Sequence, residues 1–347
     1  MDELVIYVPF PMLHPAIDRT RLATIHPRIT VLTAPVYDIA HHERTVREQD
    51  PFGESTRGLA VALTEEQRGA FARAHVVWTL DVPLDLPTVA PNLRFVQAIG
   101  SGVGQYVASR LPEGDILLAN GAGIGAPPIA EWVLARMLQI LKLLPTHDEN
   151  ARAHRWESAL GSNLQGRTVA IIGLGAIGRE VARRARAFGV HLLGVRRRWE
   201  PGATDADVDE VFGPDALHEV LRRSDIVVVA APGTDATGDM FDVAAFAAMR
   251  VGAVFVNVAR GTLVDESALI GALTSGHIRG AAIDVARTEP LPADDPLWDA
   301  PNLLISPHSS TSGEGYADRA FALFCTNLAH LVRGETLENV VDLSGGY

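Results

Sequence analysis

An arginine, a glutamate and a histidine, each placed just after an apolar run, are the residues of this chain best suited to chemistry. Arg260 follows VFVNVA, Glu289 comes five residues after GAAID, and His308 follows LLISP. An arginine fork binds a carboxylate and polarises a carbonyl. A histidine gives a proton to a developing alkoxide and takes it back in the reverse direction. A carboxylate beside the ring favours imidazolium, raising its pKa and fixing its orientation. The three types together suit reduction of a 2-keto acid by a hydride donor. Each alone has a plainer reading: Arg260 as a loop tie, Glu289 as a helix-start carboxylate, His308 as a core histidine.

A cradle for the hydride donor stands further upstream. After TVAII comes Gly173-Leu174-Gly175-Ala176-Ile177-Gly178, then the helical REVARRARAFG. Glycines at that spacing are weak evidence alone, but here they join a strand to a helix, with a second strand after it. Gly173 permits the tight turn, Gly175 lets backbone approach a pyrophosphate, and Gly178 lets helix meet strand. The helix N-terminus, with Ala176 and Ile177, offers N–H groups and a positive dipole end to phosphate. Where an NAD site usually carries a carboxylate, this chain has Arg196-Arg197-Arg198 and no acid until Glu200. Guanidinium groups suit a ribose 2′-phosphate. The expectation is NADP(H), with two of the three arginines reaching the phosphate; NAD(H) is the alternative, in which they form a solvated turn.

The elements that must position these groups read as alternating strands and helices, hence a parallel α/β fold. In the first part, strands fall at 5–8, 30–34, 76–80, 94–99 and 116–120. Thr64-Glu65-Glu66-Gln67 is a capping box opening a short helix. The polar stretch 38–60 has no periodicity and reads as an extended loop or lid-like excursion. The apolar helix 129–144 suits an interdomain or subunit interface. Strands of the second part fall at 168–173, 191–196, 226–231, 254–258, 280–284 and 303–306, and a last helix at 313–333. Asp265 and Gly276 bracket one helix as N-cap and C′ residue.

At 347 residues the chain is long enough for two domains, and its 47% hydrophobic residues can form a real core. No segment approaches 18 consecutive apolar residues, so no transmembrane helix is expected. A start of Met-Asp-Glu running into LVIYV lacks the basic n-region and cleavage site of a signal peptide, and the expected setting is the cytoplasm. The single cysteine, Cys325, lies in FALFCTNLAHLV and reads as a buried structural thiol. A net charge of −12 argues against nucleic acid and against anionic membranes.

Over essentially its whole length the sequence resembles the D-isomer-specific 2-hydroxyacid dehydrogenases, in particular the glyoxylate/hydroxypyruvate reductases. The stretches that carry the resemblance are VQAIGSGVG, WESALGSNLQGRTVAIIGLGAIG, MRVGAVFVNVARGTLVDESAL and AAIDVARTEPLPADDPLWDAPNLLISPH. It implies a doubly wound, parallel-sheet Rossmann cofactor domain (123–310). It also implies a smaller flavodoxin-like substrate domain, discontinuous over 1–122 and 311–347, with the cleft closing on cofactor between them. Arg260, Glu289 and His308 become the catalytic set. Gly100, Ser101, Gly102 and Val103 hold the substrate carboxylate with Arg260. Ala231, Pro232, Asn257, Val258, Ala259 and Asp284 join His308 in lining the cofactor, and the expected assembly is a homodimer. Gly313 stands where many members have threonine. Glu289 argues against formate and Ser101 against phosphite as substrate, and no C-terminal regulatory domain like that of phosphoglycerate dehydrogenases is seen. Two functions remain: a reversible reductase of small 2-keto acids, or a dinucleotide-sensing corepressor-like binding protein of the same fold. Turnover separates them.

Overall fold

The computed structural model describes residues 3–59, 62–111, 115–234, 236–311 and 314–341. The chain divides into two units, Met1–Ile124 with Glu314–Tyr347, and Gly125–Gly313.

The first unit is built on strands β1 (Leu4–Tyr7), β2 (Ile29–Leu32), β3 (Val76–Thr79), β4 (Phe95–Ala98) and β5 (Leu117–Ala119). All are parallel, in the order β2-β1-β3-β4-β5, which is the flavodoxin-like winding. Helices α1 (Arg19–Ile25), α2 (His41–Gln49), α3 (Glu54–Leu59), α4 (Glu65–Arg73), α5 (Leu86–Val89) and α6 (Gly104–Val107) connect them. The capping box forms as expected: the Thr64 hydroxyl accepts from Gln67 N–H, and the Gln67 side chain accepts from Thr64 N–H.

The polar stretch after residue 38 is not an extended loop. Through Leu59 it folds as α2 and α3, while Ala60 lies outside the described residues. Its core-facing contacts are ionic, so hydrophobic periodicity could not reveal it. Arg47 is buried, donating to Glu43 Oε1 at 2.7 Å and to the Val82 carbonyl at 2.7 Å. Arg44 forks onto the buried Asp81, with Nε to Oδ1 at 2.9 Å and Nη2 to Oδ2 at 2.8 Å.

The second unit carries α7 (Ala126–Leu141), α8 (Leu144–Arg152), β6 (Thr168–Ile172), α9 (Ala176–Arg186), β7 (His191–Val195) and β8 (Glu210–Phe212). It continues through α10 (Leu217–Arg223), β9 (Ile226–Val229), α11 (Val243–Ala248), β10 (Ala253–Asn257), α12 (Glu266–Thr274), β11 (Ile278–Ile283) and β12 (Leu303–Ile305). The seven strands are parallel, ordered β12-β11-β10-β9-β6-β7-β8, a doubly wound Rossmann sheet. Residues alternate between two buried faces: Val169, Ile171, Val254 and Val256 meet α7 and α9, while Ala170, Ile172, Ala253 and Phe255 meet α11 and α12. Burial on both faces is why these strands read as unbroken apolar runs. The edge strand β8 escaped the sequence reading because it is only three residues long. Asp265 caps α12, accepting from Ala268 N–H at 3.1 Å, and Gly276 follows at φ +70°.

The apolar helix expected at 129–144 stops at Leu141, and Leu143 sits in the left-handed region ahead of Pro145. Its buried stripe of Ile129, Val133, Met137 and Ile140 belongs to the core of its own unit, which accounts for its hydrophobicity.

The chain then returns to the first unit with α13 (Tyr316–Arg333). Trp78 of β3 stacks on Phe324 with centroids 4.9 Å apart, and the buried Asn327 donates to Gln97 Oε1 at 2.8 Å. Cys325 is buried there, and burial pushes its thiol up to about 11. Among the described residues no helix is long and apolar enough to cross a membrane, and no His/Cys/Asp/Glu cluster is arranged to hold a metal.

Candidate active site

The strand order of the second unit reverses between β6 and β9, and in such sheets ligands bind outside the carboxyl ends of the strands at that point. Gly173 leaves β6 there with φ +108°. A Cβ on it would lie 2.5 Å from Ala231 N and 2.6 Å from Ala230 C, so the loop closes against the end of β9 only as glycine. At Gly178 a Cβ would strike the Gly173 carbonyl oxygen at 2.0 Å. At Gly175 the same position is open, with no heavy atom within 4 Å. α9 begins at Ala176 and no side chain caps it, so its first N–H groups have no intrahelical or capping partner. The arrangement fits a pyrophosphate, taken by backbone N–H groups and the positive end of the helix dipole.

The catalytic candidates come from the ends of β10, β11 and β12. Buried Asn257 shapes the first turn: its Oδ1 accepts from Ala259 N–H at 3.0 Å and its Nδ2 donates to the Arg260 carbonyl at 3.0 Å. Val258 and Ala259 are buried, whereas Arg260 is exposed, its Nη1 donating to the Ala259 carbonyl at 2.8 Å. A Cβ on Gly261 would lie 2.0 Å from Ala286 C, so this turn meets the segment after β11 backbone to backbone. On that segment Glu289 Oε1 accepts from Ala286 N–H at 3.0 Å, and its Oε2 lies 2.8 Å from His308 Nδ1.

His308 is held in the left-handed region at φ +49°, which a non-glycine residue adopts only where its surroundings impose it. Its N–H donates to the Asp284 carbonyl at 2.8 Å. The carboxylate of Asp284, 2% exposed, accepts from Ser309 N–H at 2.9 Å, Ser310 N–H at 3.0 Å, and the hydroxyls of Ser306 and Ser310. One buried aspartate thus sets the conformation of the whole 306–310 turn. With Nδ1 occupied by Glu289 and the imidazole 47% exposed, Nε2 is the nitrogen left for a substrate. The hydrogen bond with Glu289 raises the His308 pKa, outweighing burial, and the charge of Glu289 adds to it. Burial pushes Glu289 up, but the hydrogen bond and charge of His308 outweigh it and hold the carboxyl below its ordinary value.

Residues 134–310 match the model of the D-isomer specific 2-hydroxyacid dehydrogenase NAD-binding domain. The chain belongs to the D-isomer-specific 2-hydroxyacid dehydrogenase family. It is 32% identical over 267 residues to the D-3-phosphoglycerate dehydrogenase of Mycobacterium tuberculosis, spanning 76% of this chain and 50% of that protein. The chain therefore spans about half the length of the first curated relatives it matches. It is 31% identical over 280 residues to the glyoxylate reductase of Korarchaeum cryptofilum, covering 77% of this chain and 82% of that one. A D-isomer specific 2-hydroxyacid dehydrogenase from Xanthobacter autotrophicus Py2, solved in complex with NADPH and MES, superposes with a TM-score of 0.75 at 27% identity, covering 100% of both chains. Both sheets described above are those of this family, and its cofactor is a nicotinamide dinucleotide.

The three arginines after β7 are not equivalent. Arg196, 30% exposed, donates from Nη1 to Asp205 Oδ2 at 3.2 Å, so it is not a free phosphate ligand. The run has no acid nearby in sequence before Glu200, but the fold brings back one from nine residues beyond Arg196. Arg197 and Arg198 are exposed, with no hydrogen-bond or ion-pair partner among the described residues. Ala231 and Pro232 follow β9 at the switch point. In the first unit, the Gly100–Val103 turn follows β4: the Gly100 carbonyl accepts from Gly121 N–H at 2.7 Å, and Asn120 Nδ2 donates to the Ser101 carbonyl at 3.1 Å. Gly313 lies outside the described residues. Sequence reasoning missed Asp205, Asp207 and the Ser306/Ser309/Ser310 clamp. The aspartates had a signal, since arginines at helical spacing in α9 match aspartates at alternate positions from 205 to 209.

Proposed function

We propose that the protein reduces small 2-keto acids of the glyoxylate/hydroxypyruvate type to D-2-hydroxy acids, reversibly, with NADP(H) preferred over NAD(H). The observation that carries this reading is the His308 Nδ1–Glu289 Oε2 contact of 2.8 Å, which holds a part-exposed imidazole by one nitrogen and favours its charged form. A bound reduced nicotinamide would supply the hydride that reaches C2 of the keto acid. His308 gives its Nε2 proton to the carbonyl oxygen as that oxygen becomes the hydroxyl, and takes it back in oxidation. Glu289 holds the ring by Nδ1 and stabilises the charged form. Arg260 pairs with the substrate carboxylate and draws charge toward the carbonyl oxygen. Gly173–Gly178 and Ala231–Pro232 hold the dinucleotide, Asn257 to Ala259 line it with backbone, and Asp284 sets the turn that carries His308. The Gly100–Val103 turn is the candidate carboxylate-binding loop of the first unit. Exposed Arg197 and Arg198 support the NADP(H) preference, and we read the enzyme as a cytoplasmic homodimer.

The test follows oxidation of NADPH and of NADH with glyoxylate, hydroxypyruvate and phenylpyruvate, with light scattering giving the oligomeric state. Saturable turnover, faster with NADPH, is expected. Binding of nucleotide without turnover of any 2-keto acid would favour the corepressor-like reading instead.

A further inference from the structure

The aspartates leading into β8 meet the arginines of α9 in register, helical spacing against strand spacing. Arg179 forks onto Asp205, with Nη1 to Oδ1 at 2.8 Å and Nη2 to Oδ2 at 2.9 Å, and its Nη1 also reaches Asp207 Oδ2 at 2.9 Å. Arg183 Nε donates to Asp207 Oδ1 at 3.0 Å. Asp205 Oδ1 takes a further hydrogen bond from Asp207 N–H at 3.1 Å. Into this closed set Arg196 adds one more donor to Asp205 Oδ2, at 3.2 Å the longest guanidinium contact that carboxylate makes. The Arg196 Nε is buried without a partner.

Arg196 therefore has a divided role. It is the first residue after β7, where the ribose 2′-substituent lies in a dinucleotide bound at a Rossmann glycine loop. It is also tied to a carboxylate that already has a bidentate partner. We propose that Asp205 sets nucleotide selectivity, competing with a 2′-phosphate for Arg196 and so tempering the preference for NADP(H). This rests on the reading of Gly173–Gly178 as the dinucleotide site. A phosphate carries more charge than a carboxylate shared with Arg179, so Arg196 leaves Asp205 when a 2′-phosphate is present. The Arg179 fork keeps the 205–207 segment in place during that exchange. With a 2′-hydroxyl Arg196 stays on Asp205, so the nucleotide without the phosphate draws nothing from it.

Direct binding tests this without relying on turnover. Affinities for NADPH, NADH and 2′,5′-ADP are measured by fluorescence and calorimetry on wild type, Asp205→Asn, Arg196→Ala, the double variant and Asp207→Asn. Asp205→Asn retains an acceptor for Arg179 and is expected to bind NADPH and 2′,5′-ADP about threefold to tenfold more tightly, a partly exposed charge effect. NADH affinity stays within about twofold. In the Arg196→Ala background the same change leaves NADPH unaltered, because no arginine remains to be released. Asp207→Asn, which loosens Arg179 and Arg183 but does not touch Arg196, keeps the wild-type ratio. If Asp205→Asn does not fold, Arg196→Ala alone decides: a NADPH loss of about threefold or more with NADH within about twofold supports the exchange, and a smaller NADPH loss, or an equal loss for NADH, overturns it. Unchanged or weaker NADPH binding by Asp205→Asn, or an equal gain for NADH, also overturns the proposal. A wild type that binds neither nucleotide overturns the glycine-loop reading, and this proposal with it.

Discussion

The contact between α2 and the turn after β3 in the first unit, and the turns after β10, β11 and β12 in the second, both carry charge, yet they use it in opposite ways. Around β3, Asp81 is buried under the Arg44 fork, and Arg47 and Glu43 pair at 2.7 Å with side chains only 2% and 6% exposed. That is a polar scaffold, holding α2 in place. At the ends of β10 to β12, Arg260 and His308 are exposed, and each is anchored by one side while the other faces solvent. Charge alone does not mark a site; hydrogen-bonding capacity left unused by the fold does.

Substitutions that separate these two uses test the comparison. The largest effect is expected for His308→Gln, which should lower kcat by roughly 10²–10⁴. Its melting temperature should stay near wild type, because the imidazole is 47% exposed. Activity within a few-fold of wild type would remove His308 from the reaction. Arg47→Leu should do the reverse, costing about 3–5 kcal/mol of stability because it strands the buried Glu43 carboxylate. Urea unfolding measures this; a loss below about 1 kcal/mol would mean α2 does not depend on the pair.

Arg260→Lys keeps the charge but not the fork. A kcat/KM for keto-acid reduction about tenfold to a hundredfold lower is expected, from the loss of one charge-assisted hydrogen bond. Stability should not move, and an unchanged kcat/KM would assign Arg260 to the Ala259 loop tie alone. The smallest effect concerns pH. Reduction needs imidazolium, so its rate falls as pH rises through the His308 pKa, which Glu289 raises. Glu289→Gln removes that charge while leaving an acceptor for Nδ1, so the falling limb should move to lower pH. A pH–rate profile superimposed on wild type would sever Glu289 from the proton transfer.

Much of this architecture was legible one residue at a time. The glycine loop could be read because φ +108° at Gly173 and the close approach at Gly178 are demands that only one residue type meets. The strands could be read because a sheet buried on both faces leaves unbroken apolar runs, and the Thr64 and Asp265 caps because capping is local hydrogen bonding. β8 was too short to stand out, and α2 was hidden because its inward face is ionic.

What sequence alone determined, then, was the identity of the groups: a glycine turn between strand and helix, and an arginine, a glutamate and a histidine at successive strand ends. Local conformation and residue chemistry decide these, and both are written in short stretches of chain. Partnership was decided only by tertiary structure. Glu289 and His308 are 19 residues apart in sequence and 2.8 Å apart in space, and Asp284 fixes a turn 22 to 26 residues further on. Arg196 has a carboxylate beside it although its own neighbours are basic or apolar. Electrostatic and hydrogen-bond energies depend on distance through space, and the parallel sheet, by lining up its strand ends, sets those distances.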